Sequence, residues 1–191
     1  MILCYYINIT MNTQLEQIHQ ILNLFLDLPI TQDFINRLNE DESLTRDENP
    51  YSHFCVYFAG FDPSSKKVFI GHHKKSGLWL FNGGHIDKGE SPKESLEREI
   101  SEEWGVKISL EGIGEPKLLT ITPINNPTKQ ICTKHFDIWY FVPLPESEFT
   151  PNQALLDVEY FTTGWKSIDE AHALVTDTNT LLAIGKIEEL F

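Results

Sequence analysis

The sequence predicts an α/β or α+β domain, in an order that suits a mixed sheet between helices, and three observations carry that expectation. Short runs rich in β-branched and aromatic residues, bounded by turn residues, recur between positions 54 and 142. One acidic segment with helical spacing interrupts them. Amphipathic helical patterns lie before the first run and after the last. A length of 191 residues suits one domain with an appendage, divided here as a helical extension over 1–50 and a main domain over 51–191.

In segment 12–28, Leu15, Ile18, Leu22 and Phe25 fall three or four apart, with Ile21 widening the stripe, so a helix is expected that Pro29 ends. Thr31 is the expected cap of a second helix with Phe34, Ile35 and Leu38 on its buried face. Packing on the sheet is the preferred role for this pair, with a homodimer contact or a share in the substrate cleft as alternatives. Strands are expected over 54–59 and 68–70, joined by a turn at Asp62 to Ser65, and over 78–81. Further strands are expected over 106–110, 118–124 and 131–142, with a turn at 125–127. A strand or irregular segment then leads to Trp165. Ser167 and Glu170 fit a capping box that opens a helix, and a last helix is expected over 180–190.

The net charge of −13, from 15 basic and 28 acidic residues, argues against nonspecific binding to nucleic acid or to an anionic membrane. It is compatible with a small nucleotide-type substrate, because a bound metal reverses the sign locally. Residues 1–10 are apolar but have no positive charge ahead of them, unlike a signal peptide, and no run reaches the roughly 18 residues of a membrane span. Cys4, Cys55 and Cys132 read as thiols in a reducing compartment, so the expected location is cytoplasmic.

Residues 84–106 read GHIDKGESPKESLEREISEEWGV. Ser91 is a good N-cap, Pro92 suits the first helical position and Glu94 completes the capping box. Leu96 and Ile100 share one buried face, and Gly105 stops the helix after about fourteen residues. Glu99, Glu102 and Glu103 stand at i, i+3 and i+4, so their carboxylates crowd one face near the negative end of the helix. A hard divalent cation would relieve that repulsion, while solvent exposure alone accounts for many acidic helix faces.

The spacing of the whole stretch decides between those readings. Gly84, Glu90, Arg98, Glu99, an aliphatic Ile100, Glu102, Glu103, Gly105 and an aliphatic Val106 reproduce the Nudix box without a gap. Its seven strictly specified positions coincide by chance on the order of once in 10⁸ starting points. The sequence therefore resembles the Nudix hydrolases, at every position of the box and more loosely over 52–175.

The resemblance implies an α/β/α sandwich and Mg²⁺- or Mn²⁺-dependent hydrolysis of a nucleoside diphosphate linked to another group, with water attacking phosphorus. It implies that Glu99, Glu102 and Glu103 bind metal, with the main-chain carbonyl of Gly83 as a further ligand. Glu99 is the expected general base, with Glu102 second. Arg98 is expected to brace the loop by pairing with Glu90, while Gly84 and Gly105 shape the backbone. Outside the box, Glu159 is a candidate additional acid, with Asp157 its alternative. Lys75, Trp79, Phe81 and His85 are candidate substrate contacts, each with a competing reading as an exposed or core residue. Asn82 departs from the family's commonest pattern, which has proline there. Two other readings stay open: a ligand sensor without turnover, and a diphosphate isomerase, for which nothing around Cys55 or Cys132 speaks.

Overall fold

Thr13, the first of the described residues, exchanges hydrogen bonds with Glu16, its hydroxyl oxygen accepting from the Glu16 N–H while the Glu16 carboxylate accepts from the Thr13 N–H. The computed structural model describes residues 13–124 and 131–191. The apolar stretch 1–10, Cys4 and the turn expected at 125–127 lie outside the described residues. The first helix, α1, spans Gln14–Asn23, and α2 spans Pro29–Glu40. Thr31 is not the cap of α2: Pro29 takes the first helical position, where its fixed φ and missing N–H cost nothing, and Leu28 precedes it. The Thr31 hydroxyl donates to the Phe25 carbonyl instead.

Seven strands form one sheet among the described residues: β1 (Ser52–Asp62), β2 (Lys67–His73), β3 (Trp79–Leu80), β4 (Asn82–His85), β5 (Leu118–Pro123), β6 (Lys134–Pro143) and β7 (Tyr160–Ser167). The order is β3-β2-β1-β6-β5, with β4 paired to β1 and β7 to β2. Only β1 and β6 run parallel, in register from Ser52 opposite Lys134 to Phe61 opposite Pro143. Both are covered on two faces, which explains why β1 reads as a nearly continuous apolar run. Along one edge of β1, β4 pairs with Cys55 to Phe58 and β2 with Gly60 to Asp62.

The remaining helices are α3 (Pro92–Glu99), α4 (Gln153–Glu159), α5 (Ile168–Leu174) and α6 (Thr178–Glu188). The period-two alternation of β1 and β6 sorts the core into two layers. Phe54, Val56, Phe58, Phe136, Ile138 and Tyr140 pack with Ile18 and Leu22 of α1, Phe34 and Leu38 of α2, and Leu96 of α3. Ala59, Phe61, Trp139 and Phe141 face the opposite way, against Ala171 of α5 and Ala183, Ile184 and Ile187 of α6. The result is the expected α/β/α sandwich, and the two N-terminal helices share its larger core.

Three expectations need correction. The acidic segment is not one fourteen-residue α-helix, because α3 closes at Glu99 and Ile100–Trp104 form a π-helical turn before Gly105, whose φ of 67° ends it. No strand forms over 106–110; Val106, Ile108 and Leu110 pack on the core without a ladder partner, and Leu110–Gly112 make a 3₁₀ turn. The strand expected over 78–81 is two short ones, β3 and then β4, and β4 carries Gly83 and Gly84. Between Gln153 and Ser167 the chain forms α4 and then β7, which contains Trp165.

Candidate active site

The site is assembled where α3 lies across the end of β4. The α3 capping box forms as the sequence predicts: the Ser91 hydroxyl oxygen accepts from the Glu94 N–H, and the Glu94 carboxylate accepts from the Ser91 N–H. This fixes the start of the helix and so the angular position of every carboxylate after it.

Gly84 faces α3, and the Glu99 carboxylate rests directly on it, so that a methyl group at Gly84 would overlap Glu99. Glycine is needed here for close approach rather than for an unusual φ. Glu99 is 9% exposed, and burial pushes its carboxyl up from the ordinary value, with Glu102 and Asp87 adding to the rise and Arg98 opposing it.

Arg98 ties the box together. Its Nε donates to Glu90 at 2.9 Å, Nη2 donates to Glu90 and to the His85 carbonyl, and Nη1 donates to Glu99 at 2.8 Å and to Glu102 at 3.3 Å. Ser95 adds a hydroxyl bond to Glu90 at 2.8 Å. The brace expected between Arg98 and Glu90 is therefore present and reaches two of the three clustered glutamates as well. These bonds hold the Glu90 carboxyl below its ordinary range.

Glu103 has turned away from its neighbours. The π-helical turn, with its wider spacing, places its side chain under β4. There it accepts hydrogen bonds from the Asn82 amide, the Gly83 N–H at 3.2 Å and the Tyr160 hydroxyl at 3.3 Å. Glu103 is 9% exposed, and burial, with the charges of Glu159 and Glu99, pushes its carboxyl up to about 8 against the pull of Asn82. Glu102 remains outside, its side chain 60% exposed.

Asn82 is the residue whose role the sequence did not reveal. Buried to 1% exposure, it donates to Glu103 while its Oδ1 accepts from the Trp104 indole at 3.0 Å. A proline there could supply neither bond. The residue type was visible, but its partners lie 21 and 22 positions away. Tyr160 was missed for the same reason, since only the pairing of β7 with β2 brings it beneath the site.

The other candidates scatter. Glu159, at the end of α4, is near enough for its charge to act on Glu103 and lies 3.7 Å from Lys75, which is 81% exposed. Asp157 accepts from Gln153 on the surface. Trp79 stacks on His72 with ring centroids 5.5 Å apart, and Phe81 is 1% exposed, packed edge-on against Trp139. His85 points to the sheet face opposite α3, beside His53 and His135.

The donor set around Gly84 is all oxygen. Two of its carboxyls are buried, and both are raised by burial and by neighbouring negative charge. A hard divalent cation fits such a set, since it neutralises the charge that burial penalises.

Fold and site together define an α/β/α sandwich protein with a helix-borne carboxylate centre. A family model described as the NUDIX domain matches residues 53–182. The chain belongs to the Nudix hydrolase family. A search of curated proteins found no match. Similar solved structures include the E. coli dihydroneopterin triphosphate pyrophosphohydrolase, with 17% identity, TM-score 0.58, and coverage of 70% of this chain and 92% of that one. A NUDIX-family hydrolase from Clostridium perfringens gives 22%, 0.55, 73% and 98%. A MutT NUDIX hydrolase from Burkholderia pseudomallei gives 17%, 0.53, 71% and 97%. Among the described residues no helix is long and apolar enough to cross a membrane.

Proposed function

We propose that this protein is a divalent-metal-dependent pyrophosphohydrolase that cleaves the diphosphate linkage of a nucleoside diphosphate derivative by attack of water on phosphorus. The observation that carries the reading is the complete box with Glu99 seated on Gly84 and Glu103 beneath β4. Glu99, Glu102 and Glu103, with the Gly83 carbonyl, would hold Mg²⁺ or Mn²⁺, which when bound neutralises phosphate oxygens and acidifies a coordinated water.

The chain's own groups do the rest. Glu99 is the proposed base, because its carboxyl, raised by burial, rests on Gly84 beside the other clustered glutamates and can accept a proton from the attacking water. Arg98 holds Glu99 and Glu102 at a fixed separation. Asn82 keeps Glu103 in place. Glu159, whose charge already reaches Glu103, is proposed as an additional acid.

The test is product release from nucleoside triphosphates, nucleotide sugars, dinucleoside polyphosphates, ADP-ribose, NADH and dihydroneopterin triphosphate. The last enters because a structurally similar protein is described as its pyrophosphohydrolase. Wild type and Glu102→Gln run side by side with Mg²⁺ or Mn²⁺ and with chelator. Cleavage of one class, lost on chelation and reduced about 100-fold or more in Glu102→Gln, is expected. Undiminished turnover by Glu102→Gln would remove that residue from the site.

A further inference from the structure

We propose a second metal site, for one zinc-like transition-metal ion, formed by His53, Cys55, His85 and His135 on the sheet face opposite the carboxylate cluster. Each of the four offers one ligand atom, and these atoms all lie within 4.8 Å of one another. Strand register creates the group. His53 and Cys55 are two apart on β1 and so share a face; His135 lies opposite His53 on parallel β6, and His85 lies opposite Cys55 on antiparallel β4. The three imidazole centroids are 4.7, 4.8 and 5.3 Å apart.

The donor set is three nitrogens and one sulfur, which selects zinc and its neighbours over Mg²⁺. Tetrahedral zinc with ordinary bond lengths separates its ligand atoms by about 3.4–3.6 Å, so side-chain rotations of about 1 Å close the group on an ion. Two hydrogen-bonding features fit a ligand role. His53 Nδ1 lies 3.2 Å from the Asn49 carbonyl, an orienting contact that leaves Nε2 to coordinate. Among the described residues His135 Nδ1 is buried without a hydrogen-bond partner. Among the described residues Cys55 is a free thiol, 2% exposed, and the Cys132 sulfur lies 3.8 Å from His53 Nε2, a further thiol at the rim. A polar cavity of about 250 Å³, lined in part by Arg46, Asp87 and Lys88, opens beside His85 and gives an ion a route in. Its cations Arg46 and Lys88 are matched by the acids Asp47 and Asp87, and loss of the Cys55 proton on binding supplies negative charge at the ion.

Binding here would join β1, β4 and β6 through the residue that follows Gly84. The site would therefore lock the strand on which the carboxylate centre rests. It does not depend on the proposed reaction.

The full-length chain, stripped with chelator and held in excess Mg²⁺, is titrated with Co²⁺ and then with Zn²⁺ against a chromophoric chelator. One equivalent of Co²⁺ should give the intense visible bands of tetrahedral cobalt together with a thiolate charge-transfer band, and Zn²⁺ should displace it. Glu102→Gln should behave as wild type. Cys55→Ser should lose the charge-transfer band, and both it and His135→Gln should bind Zn²⁺ more weakly by about 100-fold or more. Circular dichroism of the metal-free variants, matching wild type, separates lost ligation from lost fold, and either folded variant suffices to decide. Absence of tetrahedral bands, a charge-transfer band that persists in folded Cys55→Ser, or binding lost in Glu102→Gln would each overturn the proposal.

Discussion

Gly84 has no side chain, and that absence is what the Glu99 carboxylate occupies. Adding one methyl group must push either β4 or the carboxylate aside by about 1 Å, a misplacement of the size that costs about 100-fold in rate. Gly84→Ala should therefore keep the fold and its KM while kcat falls by about two orders of magnitude, measured on whichever substrate the panel identifies. A kcat within about twofold of wild type would show that Glu99 can move without consequence to turnover. The box residues were legible in the sequence because their chemistry is concentrated in one stretch of chain. Arg98 and Glu90 are only eight positions apart, Glu90 standing just before the Ser91 cap, so the short loop that feeds the helix brings them together. Asn82, Tyr160 and the His53–Cys55–His135 group were not legible in this way. Their partners come from other elements, and only strand register puts them together.

The acidic helix illustrates what pattern reading captures of an element and what it loses. Its start follows from local chemistry, Ser91, Pro92 and Glu94, and the structure places it there. Its last turn depends on tertiary demands: Trp104 must reach the core at 0% exposure while Glu103 reaches Asn82, and a π-helical turn meets both. The absence of a strand over 106–110 has a similar origin, since β propensity needs a neighbouring strand to pair with and this segment pairs with none among the described residues. A second element-level device joins β1 to the loop after β6. Asp62 accepts from the Ser64 N–H at 2.8 Å, the Ser65 hydroxyl at 3.0 Å and the Glu146 N–H at 3.0 Å. Burial alone would raise its carboxyl, but these bonds outweigh it and hold the group below its ordinary value. A carboxyl depressed in the folded state adds stability above its unfolded pKa and loses it as pH falls through the lower folded value. Asp62→Asn should thus be less stable than wild type by about 1–2 kcal/mol at neutral pH, with the difference closing below about pH 4. Urea titrations at both pH values check this; a pH-independent difference would show that the ionised form does not matter.

At the scale of the molecule, strand and helix patterns made an α/β or α+β domain legible and the family resemblance supplied the sandwich; the structure shows successive residues of β1 and β6 facing its two core layers in turn. The first two helices, for which packing on the sheet was the preferred role, complete the larger core. Phe34 of α2 is fully buried and meets Phe54 and Phe136 edge-on at centroid distances of 5.9 and 5.0 Å. Phe34→Ala should accordingly destabilise the whole protein by about 3–5 kcal/mol in a single cooperative transition. A separate early transition confined to the N-terminal helices would show that they form an independent unit. The parallel pairing of β1 with β6 has a further consequence, for how the chain reaches this state. The two strands meet in register although about 80 residues separate them, so a long loop must close before the central ladder gains anything. Refolding followed by tryptophan fluorescence should therefore run on the millisecond-to-second scale rather than in microseconds. The box helix, carried inside that loop, gains its full bed of strands only once the loop has closed, so catalytic competence should be among the last properties acquired during refolding.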